Sequence, residues 1–305
     1  MNVLFRADSS STIGTGHIMR DLVLAEQYVN SNIIFATQNL SGNINHKIIE
    51  KNYNIEILNS NSCKELNILI TTLDIDMLII DHYGIDYDFE KKLKTNNPRL
   101  KIFVFDDTYE RHYCDILLNH NVYGDSSKYK NLVPENCELR CGLKYTLLRD
   151  EFIIAKKIGR QNKKDKSNLD IFIAMGGADH SNVNTQILEV LKKFKNIHIH
   201  VVTTIANMHL ESLKCYIENL ENATLHINTN QISKLMNKAD LAIITPSVTT
   251  NEILYLNIPF IAIKTANNQV YMHDYLRENN YMVSKSFNHI ELFNYVKILL
   301  NNPSI

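Results

Sequence analysis

Short apolar runs alternate with amphipathic segments along the chain, beginning at its first residues. In the first half, apolar runs rich in β-branched or aromatic residues predict strands at 2–8, 32–37, 77–84, 100–107 and 115–119. Segments with apolar residues at helical spacing fall between them, around 43–51, 64–73 and 87–95. Repeated strand–helix units with continuously apolar strands are typical of a parallel sheet covered by helices on both faces. The first half therefore predicts a doubly wound α/β domain.

The same alternation restarts in the second half. Strands are predicted at 169–175, 197–204, 223–227, 240–245 and 259–264, and helices at about 182–194, 208–219, 230–237, 249–256, 268–279 and 289–300. The intervening KKIGRQNKKDKSN (156–168) is charged and poor in large apolar residues, which is typical of a linker. The pattern predicts domains at 1–160 and 161–305, with a ligand-binding cleft between the carboxyl ends of their strands. A charged surface loop inside one large domain is the alternative.

Composition and charge narrow the class of protein. The 305 residues include 32 Lys and Arg against 33 Asp and Glu, so the chain lacks the basic footprint of a nucleic-acid-binding protein. Strand-like sequence begins at Asn2 and is interrupted by Arg6, a pattern that does not resemble a signal peptide. No apolar run in the sequence approaches the length of a membrane span. We expect a cytoplasmic monomer with no membrane or nucleic-acid partner.

Side chains that could ligate a metal are scattered along the sequence. The cysteines are Cys63, Cys114, Cys137, Cys141 and Cys215. Cys137 and Cys141 lack the second pair that a zinc site needs, so reduced thiols are expected. The DID at 74–76 has metal-binding spacing but precedes its strand, and His198 and His200 alternate along a strand as structural or exposed histidines do. We expect neither a metal nor another cofactor.

The stretch SSSTIGTGHIMRDLVLA (9–25) joins the first predicted strand to a predicted helix. Gly14 and Gly16 allow a sharp turn and the close approach of a ligand, and His17 falls at the start of the helix. Taken alone, this loop is a phosphate cradle, a catalytic loop or a tight turn. It is not a Walker A loop, and Met19 replaces the third glycine of the dinucleotide-binding fingerprint.

Further polar clusters follow predicted strands, at the end where open α/β sheets bind ligands. They are DHYG at 81–84, DD at 106–107, GGAD at 176–179 and TPSVTTNE at 245–252. The last cluster opens a helix whose N-terminus suits a diphosphate, and the glycines at 176–177 would let a second loop approach the same anion. The structural alternatives are a capping aspartate with two core side chains at 81–83 and capping threonines at 249–250.

These clusters occur in a specific order along the chain. RxDSSxxIGxGHxxRDLxLA (6–25) is followed by IIDHYG (79–84), FDD (105–107), CDILLN (114–119), RCGxxYxLxRxEF (140–152), MGGxD (175–179) and NE (251–252). This order resembles the UDP-2,4-diacetamido-2,4,6-trideoxy-β-L-altropyranose hydrolases of pseudaminic acid biosynthesis over nearly the whole chain. ADHSN (178–182) departs from the family pattern, and the segment from about Ser286 matches no part of it.

The resemblance implies a glycosyltransferase-B-like fold, with two doubly wound Rossmann-like domains and an interdomain cleft. It implies a catalytic, sugar-side domain at 1–160 and a UDP-binding domain at 161–305. It also implies that water cleaves the anomeric C–O bond of the UDP-sugar, with inversion and without metal or cofactor. The products would be UDP and 2,4-diacetamido-2,4,6-trideoxy-L-altropyranose, and the partner would be the small-molecule UDP-sugar.

The resemblance and the chemistry of the residues together suggest roles at the site. His17 is the candidate general base for the attacking water. Tyr83 and Asn251 would orient the sugar or the water, and Glu252 can accept hydrogen bonds from both ribose hydroxyls. The other candidate substrate-binding residues are Arg6, Asp8, Gly14, Gly16, Arg20, Asp81, Gly176, Gly177, Ser247 and Thr249.

The residue that sets the tautomer of His17 and the class of function stay open at this point. Either Asp8 or Asp81 could set the tautomer of His17, and the sequence does not choose between them. A glycosyltransferase with a sugar or lipid acceptor could use the same UDP-sugar site, although the first half shows no strong acceptor groove or basic–apolar patch. Besides a hydrolase or a glycosyltransferase, the chain could be a nucleotide-sugar-binding module, but such a module would not need a base such as His17.

Overall fold

The computed structural model of the chain describes residues 1–159 and 168–301. The chain forms two compact units, Met1–Leu147 and Leu148–Ile305, each built on its own parallel sheet. Most of the predicted linker, at 160–167, lies outside the described residues. The division falls one helix earlier than the predicted boundary after residue 160, because the helix before the linker packs onto the second unit.

The first unit contains a sheet of seven parallel strands in the order β3-β2-β1-β4-β5-β6-β7. The strands are β1 (Asn2–Ala7), β2 (Asn32–Gln38), β3 (Asn54–Leu58), β4 (Met77–Asp81), β5 (Lys101–Phe105), β6 (Ile116–Asn119) and β7 (Glu138–Cys141). The five predicted strands are confirmed, and β3 and β7 have no predicted counterpart. Both are edge strands with mostly half-buried or exposed residues, so they lack the continuous apolar run that marks a central strand.

Helices cover both faces of this sheet. They are α1 (Gly16–Ala25), α2 (Asn45–Glu50), α3 (Cys63–Thr72) and α4 (Tyr87–Asn96). Successive side chains of β1 point to opposite faces, so Phe5 packs in the core under α1 and α2, and Leu4 in the core under α3 and α4. The side chains of Ser62 and Asp86 accept backbone hydrogen bonds and so fix where α3 and α4 begin.

The second unit contains a sheet of six parallel strands in the order β10-β9-β8-β11-β12-β13. The strands are β8 (Leu169–Ala174), β9 (Ile197–Thr203), β10 (Ala223–Ile227), β11 (Leu241–Ile244), β12 (Phe260–Ile263) and β13 (Met282–Ser284). The first five match predicted strands. β13 is an edge strand of three residues, which is too short to stand out in the apolar pattern.

The helices of the second unit are α5 (Asp150–Ile158), α6 (Val183–Leu191), α7 (Leu210–Glu218), α8 (Ile232–Lys238), α9 (Val248–Leu256), α10 (Val270–Glu278) and α11 (His289–Asn301). Helix α5 packs against α8 and α9, which is why the second unit begins at Leu148. Helix α11 contributes Leu292, Val296 and Leu299 to the core, so the segment after Ser286 is an integral part of this unit. None of the helices in the described residues is long and apolar enough to span a membrane.

Each sheet reverses its strand order at one place. The reversal falls between β1 and β4 in the first unit and between β8 and β11 in the second. Open α/β sheets bind ligands at such switch points, outside the carboxyl ends of the strands. The polar clusters after these four strands therefore lie where the fold favours a ligand.

Candidate active site

At the switch point of the first unit, α1 brings a histidine against the end of β4. His17 lies in the first turn of α1, and Asp81 is the last residue of β4. His17 Nδ1 lies 2.6 Å from Asp81 Oδ1, and both side chains are buried. Asp81, and not Asp8, is therefore the acid that contacts His17.

The loop before His17 is closed by hydrogen bonds to itself. The N–H of Ile13 donates to the Ser10 hydroxyl at 2.9 Å, and the N–H of Gly14 donates to the Ser10 carbonyl at 2.8 Å. Gly14 has a φ of +87°, which favours glycine, and a Cβ at Gly14 or Gly16 would meet no heavy atom within 4 Å. A phosphate cradle needs N–H groups that are not already bonded. Two N–H groups of the loop are therefore already bonded within it, and the loop holds His17 at the start of α1.

Arg20 lies one turn after His17 on the same face of α1. Its Nε donates to Asp81 Oδ2 at 2.6 Å and its Nη2 to Asp81 Oδ1 at 2.5 Å, which is a bidentate pairing. Burial by itself would raise the pKa of Asp81, but the charge of Arg20 and the hydrogen bonds that Arg20 and His17 make hold that pKa well below its usual range. Asp81 is therefore a carboxylate at neutral pH.

Asp107 and Tyr83 extend this network toward solvent. Arg20 Nη1 donates to Asp107 Oδ2 at 3.1 Å, and Tyr83 Oη donates to Asp107 Oδ1 at 2.9 Å. The ring centroids of Tyr83 and His17 are 5.0 Å apart, and the rings are nearly perpendicular at 85°. Because Tyr83 is 55% exposed, its ring forms the solvent-facing side of the His17 environment.

A buried network holds the loop that carries Asp107. Tyr129 Oη donates to Asp106 Oδ2 at 2.7 Å. His112 lies between two carboxylates, with Nδ1 2.7 Å from Glu90 Oε1 and Nε2 3.7 Å from Asp106 Oδ1. Burial opposes protonation of this ring, but Asp106 and Glu90 together raise the pKa of His112 to about 9. A protonated His112 therefore joins the loop after β5 to α4.

Phe105 and His120 fix Arg20 from another side. Arg20 Cζ lies 5.1 Å from the centroid of the Phe105 ring, and Arg20 Nη1 donates to His120 Nε2 at 3.5 Å. Burial and the charge of Arg20 lower the pKa of His120 to about 3, so this ring is neutral and can accept a hydrogen bond.

Asp21 is fully buried next to Asp81. Burial and the nearby charge of Asp81 raise the pKa of Asp21, which disfavours its ionised form beside the Asp81 carboxylate.

Arg6 and Asp8 form a separate buried ion pair. Arg6 Nη2 donates to Asp8 Oδ2 at 2.7 Å, and Asp8 Oδ1 accepts from the N–H of Gln38 at 2.7 Å. His82 Nε2 lies 3.2 Å from Asp8 Oδ2. Burial opposes the charge of Asp8, but His82 and Arg6 hold its pKa well below its usual range. Since Arg6 is fully buried, the geometry favours a role in joining β1 to β2 and to the loop after β4 over contact with a substrate.

A cavity of about 510 Å³ opens beside this network within the first unit. Its lining includes Asp81, Tyr83, Arg111 and His112. Cavities of this volume are typical of small-molecule sites. Asp81 and Tyr83 therefore border a space large enough for a small molecule.

In the second unit, the loop after β8 turns at two glycines. Gly176 has a φ of +82°, and a Cβ on Gly177 would lie 2.9 Å from Thr204 Oγ1. The Thr204 hydroxyl donates to the carbonyl of Gly177 at 3.0 Å. Asp179 accepts the backbone N–H of Val183 at 2.8 Å and so caps the start of α6. The backbone conformation thus favours glycine at 176, where a Cβ would point into open space, whereas the Thr204 side chain leaves little room for a Cβ at 177.

The loop after β11 leads directly into α9. Thr250 Oγ1 accepts the N–H of Ser247 at 3.2 Å, so Thr250 caps the helix, as the structural alternative predicted. Thr249 is half-buried in the first turn, and Asn251 is buried beside Glu252. The candidate residues of this segment therefore share the N-terminal part of one helix.

Glu252 is buried in α9 and pairs with Arg149, the residue before α5. Arg149 Nε and Nη2 both donate to Glu252 Oε1, at 3.1 and 2.9 Å, while Arg149 Nη1 contacts Glu151 at 2.6 Å. Glu252 Oε2 accepts no hydrogen bond from the described residues. Burial raises the pKa of Glu252, and Arg149 limits that rise. One oxygen is thus held by an arginine and the other can accept from a hydroxyl group.

Comparison of the sequence with curated proteins shows the family of this chain. Over 287 residues the chain is 43% identical to the UDP-2,4-diacetamido-2,4,6-trideoxy-β-L-altropyranose hydrolase of Campylobacter jejuni, which covers 94% of this chain and 100% of that protein. The chain belongs to this hydrolase family. No family model matches the sequence.

Solved structures show the fold of this member of the hydrolase family. MurG of Acinetobacter baumannii superposes with a TM-score of 0.66 at 11% identity, over 98% of this chain and 91% of that chain. The UDP-GlcNAc 2-epimerase of Neisseria meningitidis, bound to UDP-GlcNAc, gives a TM-score of 0.66 at 11% identity, over 99% and 92%. At such identities the likeness concerns the fold alone. It confirms the predicted glycosyltransferase-B-like fold with two Rossmann-like domains.

Three residues to which the sequence pattern assigned no role contact candidate site residues in the structure. They are Asp107, His120 and Arg149. Asp107 and Arg149 stand inside the quoted family motifs, so motif membership was a signal for both. The spacing gave no indication that Arg149 pairs with Glu252, because 103 residues separate them along the chain.

Proposed function

We propose that this chain hydrolyses UDP-2,4-diacetamido-2,4,6-trideoxy-β-L-altropyranose to UDP and 2,4-diacetamido-2,4,6-trideoxy-L-altropyranose, as a step of pseudaminic acid biosynthesis. The observation that carries the proposal is the 43% identity to the Campylobacter hydrolase over its full length. The buried contact between His17 and Asp81 at the switch point supports it, because water needs a base to become an effective nucleophile.

His17 acts as the general base in this proposal. Asp81 is a carboxylate 2.6 Å from Nδ1, so we assign the ring proton to Nδ1, which leaves the lone pair on Nε2. Arg20 Nη2 lies farther from Nδ1, at 3.3 Å, and has its closer partner in Asp81. Nε2 accepts no hydrogen bond from the described residues, so it is the atom that would take a proton from water.

Tyr83 and Asn251 orient the sugar or the attacking water in this proposal. Tyr83 supports that role through its exposed ring beside His17 and its hydrogen bond to Asp107. Asn251 supports it through its position in the first half of α9, next to Glu252. Neither residue carries the proton transfer, so both are positioning residues.

The second unit binds the UDP moiety. The N-terminus of α9, with Ser247 and Thr249, and the backbone at Gly176 and Gly177 meet the negative charge that develops on the departing diphosphate. Glu252 Oε2 accepts from the ribose hydroxyls while Arg149 holds Oε1. UDP leaves readily as an anion, so the reaction proceeds without a metal ion or a dedicated acid.

A single incubation tests the proposal. The full-length protein is mixed with the UDP-sugar in buffer made with H2¹⁸O, with and without excess EDTA. We expect UDP and free sugar to form at the same rate in both, with ¹⁸O on C1 of the sugar and an inverted anomer in the earliest NMR spectra. His17→Asn is the matched control.

Three results would contradict parts of this proposal. Release of ¹⁸O-labelled UDP would mean that the P–O bond breaks. Loss of activity in EDTA, restored by Mg²⁺ or Mn²⁺, would overturn the metal-free mechanism. UDP release only when a sugar or lipid acceptor is present would make the chain a glycosyltransferase.

We further infer that the enzyme works as a cytoplasmic monomer. Its proposed substrate is a small, charged nucleotide-sugar, and neither a membrane nor a nucleic acid takes part in the reaction. Light scattering during size-exclusion chromatography tests the monomer, with a mass of 35.2 kDa as the expected result.

A further inference from the structure

Three side chains that the reaction does not use converge on one face of the second sheet. Asp170 is the second residue of β8, and His198 and His200 are the second and fourth residues of β9. His198 and His200 share a face because alternate residues of a strand point the same way. Asp170 pairs in register with His198 across the two strands. The three residues lie toward the amino ends of their strands, away from the loop that contains Gly176.

The distances between their polar atoms fit the coordination geometry of zinc. Asp170 Oδ1 lies 3.5 Å from His198 Nδ1 and 3.5 Å from His200 Nε2, and these two nitrogens are 3.2 Å apart. Tetrahedral zinc with bonds of about 2.0–2.2 Å separates its ligand atoms by about 3.3–3.5 Å. An octahedral ion with similar bonds would separate them by about 3.0 Å. The three atoms therefore match one triangular face of a tetrahedron.

The second nitrogen of each histidine ring is held by a residue of β10. Thr224 Oγ1 lies 3.3 Å from His198 Nε2, and His226 Nε2 lies 3.2 Å from His200 Nδ1. Metal-binding histidines are usually oriented through their other ring nitrogen in this way.

We propose that Asp170, His198 and His200 bind one Zn²⁺ ion, with water in the fourth position. Two imidazoles and one carboxylate suit zinc better than Mg²⁺ or Ca²⁺, which prefer oxygen ligands. The His198 side chain is 36% exposed, so the ion can enter from solvent. Because its ligands come from adjacent strands, the ion cross-links β8 and β9 and stabilises the second unit. It lies apart from the polar loops after β8 and β11, so it takes no part in the proposed hydrolysis.

Zinc binding to the untagged full-length protein tests the proposal. The protein is stripped with a chelator, titrated with Zn²⁺ against a competing chromophoric chelator, and melted with and without one equivalent of Zn²⁺. We expect one Zn²⁺ per chain and a higher Tm in its presence. His198→Gln or His200→Gln should abolish both effects, and Thr224→Val should weaken binding by about 10- to 100-fold. His46→Gln, at an exposed histidine of the first unit, should bind zinc as the wild type does.

Co²⁺ in place of Zn²⁺ tests the geometry independently of any variant. We expect the intense visible absorption of tetrahedral cobalt, and the weak absorption of octahedral cobalt would overturn the proposed coordination. Wild-type protein that binds no zinc, or binds it no more tightly than the His198→Gln/His200→Gln double variant, would overturn the site. If the double variant fails to fold, the wild-type titration alone decides the matter.

Discussion

The two units carry their polar loops in different ways. In the first unit, His17, Asp81 and Asp107 come from different elements and are joined to one another through Arg20. In the second unit, the loops after β8 and β11 use their polar side chains largely to shape their own backbone. Asp179 caps α6, and Thr250 caps α9. The ion pair of Arg149 with Glu252 is a charged contact between elements there.

This difference matches two kinds of chemical task. A proton transfer depends on a fixed orientation and protonation state, and the charged groups around His17 are held by contacts within the protein. Recognition of a diphosphate depends on backbone N–H groups and a helix N-terminus, and these need a loop of the right shape more than a network of charges. The comparison therefore predicts that variants in the first unit lower turnover, whereas variants in the second unit lower nucleotide affinity.

The largest expected effect is a loss of turnover when His17 is replaced. His17→Asn removes the proposed base, so kcat should fall by about 100- to 10 000-fold, the usual contribution of a positioned base. The affinity for UDP should stay at the wild-type value, because the proposal assigns nucleotide binding to the second unit. Steady-state kinetics and calorimetry with UDP measure the two quantities. Near-normal turnover in the variant would remove His17 from this role.

The next largest effects are expected on stability and turnover when Asp81 is replaced. Asp81→Asn leaves Arg20 without its bidentate partner, so the free energy of unfolding should fall by about 3–5 kcal/mol. It also removes the acceptor that is proposed to fix the tautomer of His17, so kcat should fall. In a His17→Asn background the same change should lower kcat no further, because two groups that act as a unit are not additive.

Asp8→Asn is the matched control for that experiment. It also breaks a buried ion pair, with Arg6, and should lower stability in the same way. It does not touch His17, so kcat measured well below the melting temperature should be unchanged. Equal losses of kcat in the Asp8 and Asp81 variants would show that the effect is structural.

A smaller effect separates the tasks of the two units. Glu252→Ala removes the proposed acceptor for the ribose hydroxyls, and a hydrogen bond to a charged group contributes about 1.5–3 kcal/mol. UDP should therefore bind about 10- to 100-fold more weakly. Tyr83→Phe, in the first unit, should bind UDP normally and turn over the full substrate more slowly.

Calorimetry with UDP on both variants measures this contrast. Glu151→Ala is the control, because Glu151 also contacts Arg149 but is not a proposed ribose ligand. Weaker UDP binding by Tyr83→Phe and normal binding by Glu252→Ala would mean that the nucleotide binds to the other unit.

The smallest expected effect is on stability, through the buried contacts of His112 with Glu90 and Asp106. The pKa of His112 is about 9 in the folded protein, above the value of about 6.5 expected for an unfolded chain. The folded state therefore binds the proton more tightly, and this contribution is complete below pH 6.5 and lost as the pH rises through 9. The protonation of His112 therefore contributes at most about 3 kcal/mol to the free energy of unfolding.

Thermal melts of the wild type and of His112→Gln between pH 6 and about 9.5 measure this contribution. The difference in Tm should be largest near pH 6 and should shrink as the pH rises. A difference that stays constant with pH would contradict the protonated His112. The second unit offers a contrast, since burial and its neighbours lower the pKa of His200.

The central strands of both sheets could be predicted from the sequence because burial on both faces demands a continuous apolar run. The edge strands β3, β7 and β13 could not, since exposed edges and short length remove that signal. The location of the candidate residues could also be predicted, because strand ends in a parallel sheet lie together. The partners of those residues could not.

The sequence by itself determined the fold class, the order of the elements and the motifs that identify the family. Each of these depends on local pattern: apolar periodicity, glycine positions and the spacing of residues within a loop. The tertiary structure decided that Asp81 contacts His17, that Arg149 holds Glu252, and that three strand residues form a zinc-sized triangle. The first two contacts join residues far apart in the chain, and the third depends on the register of β8 and β9. A difference of one residue in that register would turn Asp170 or the two histidines to the other face of the sheet.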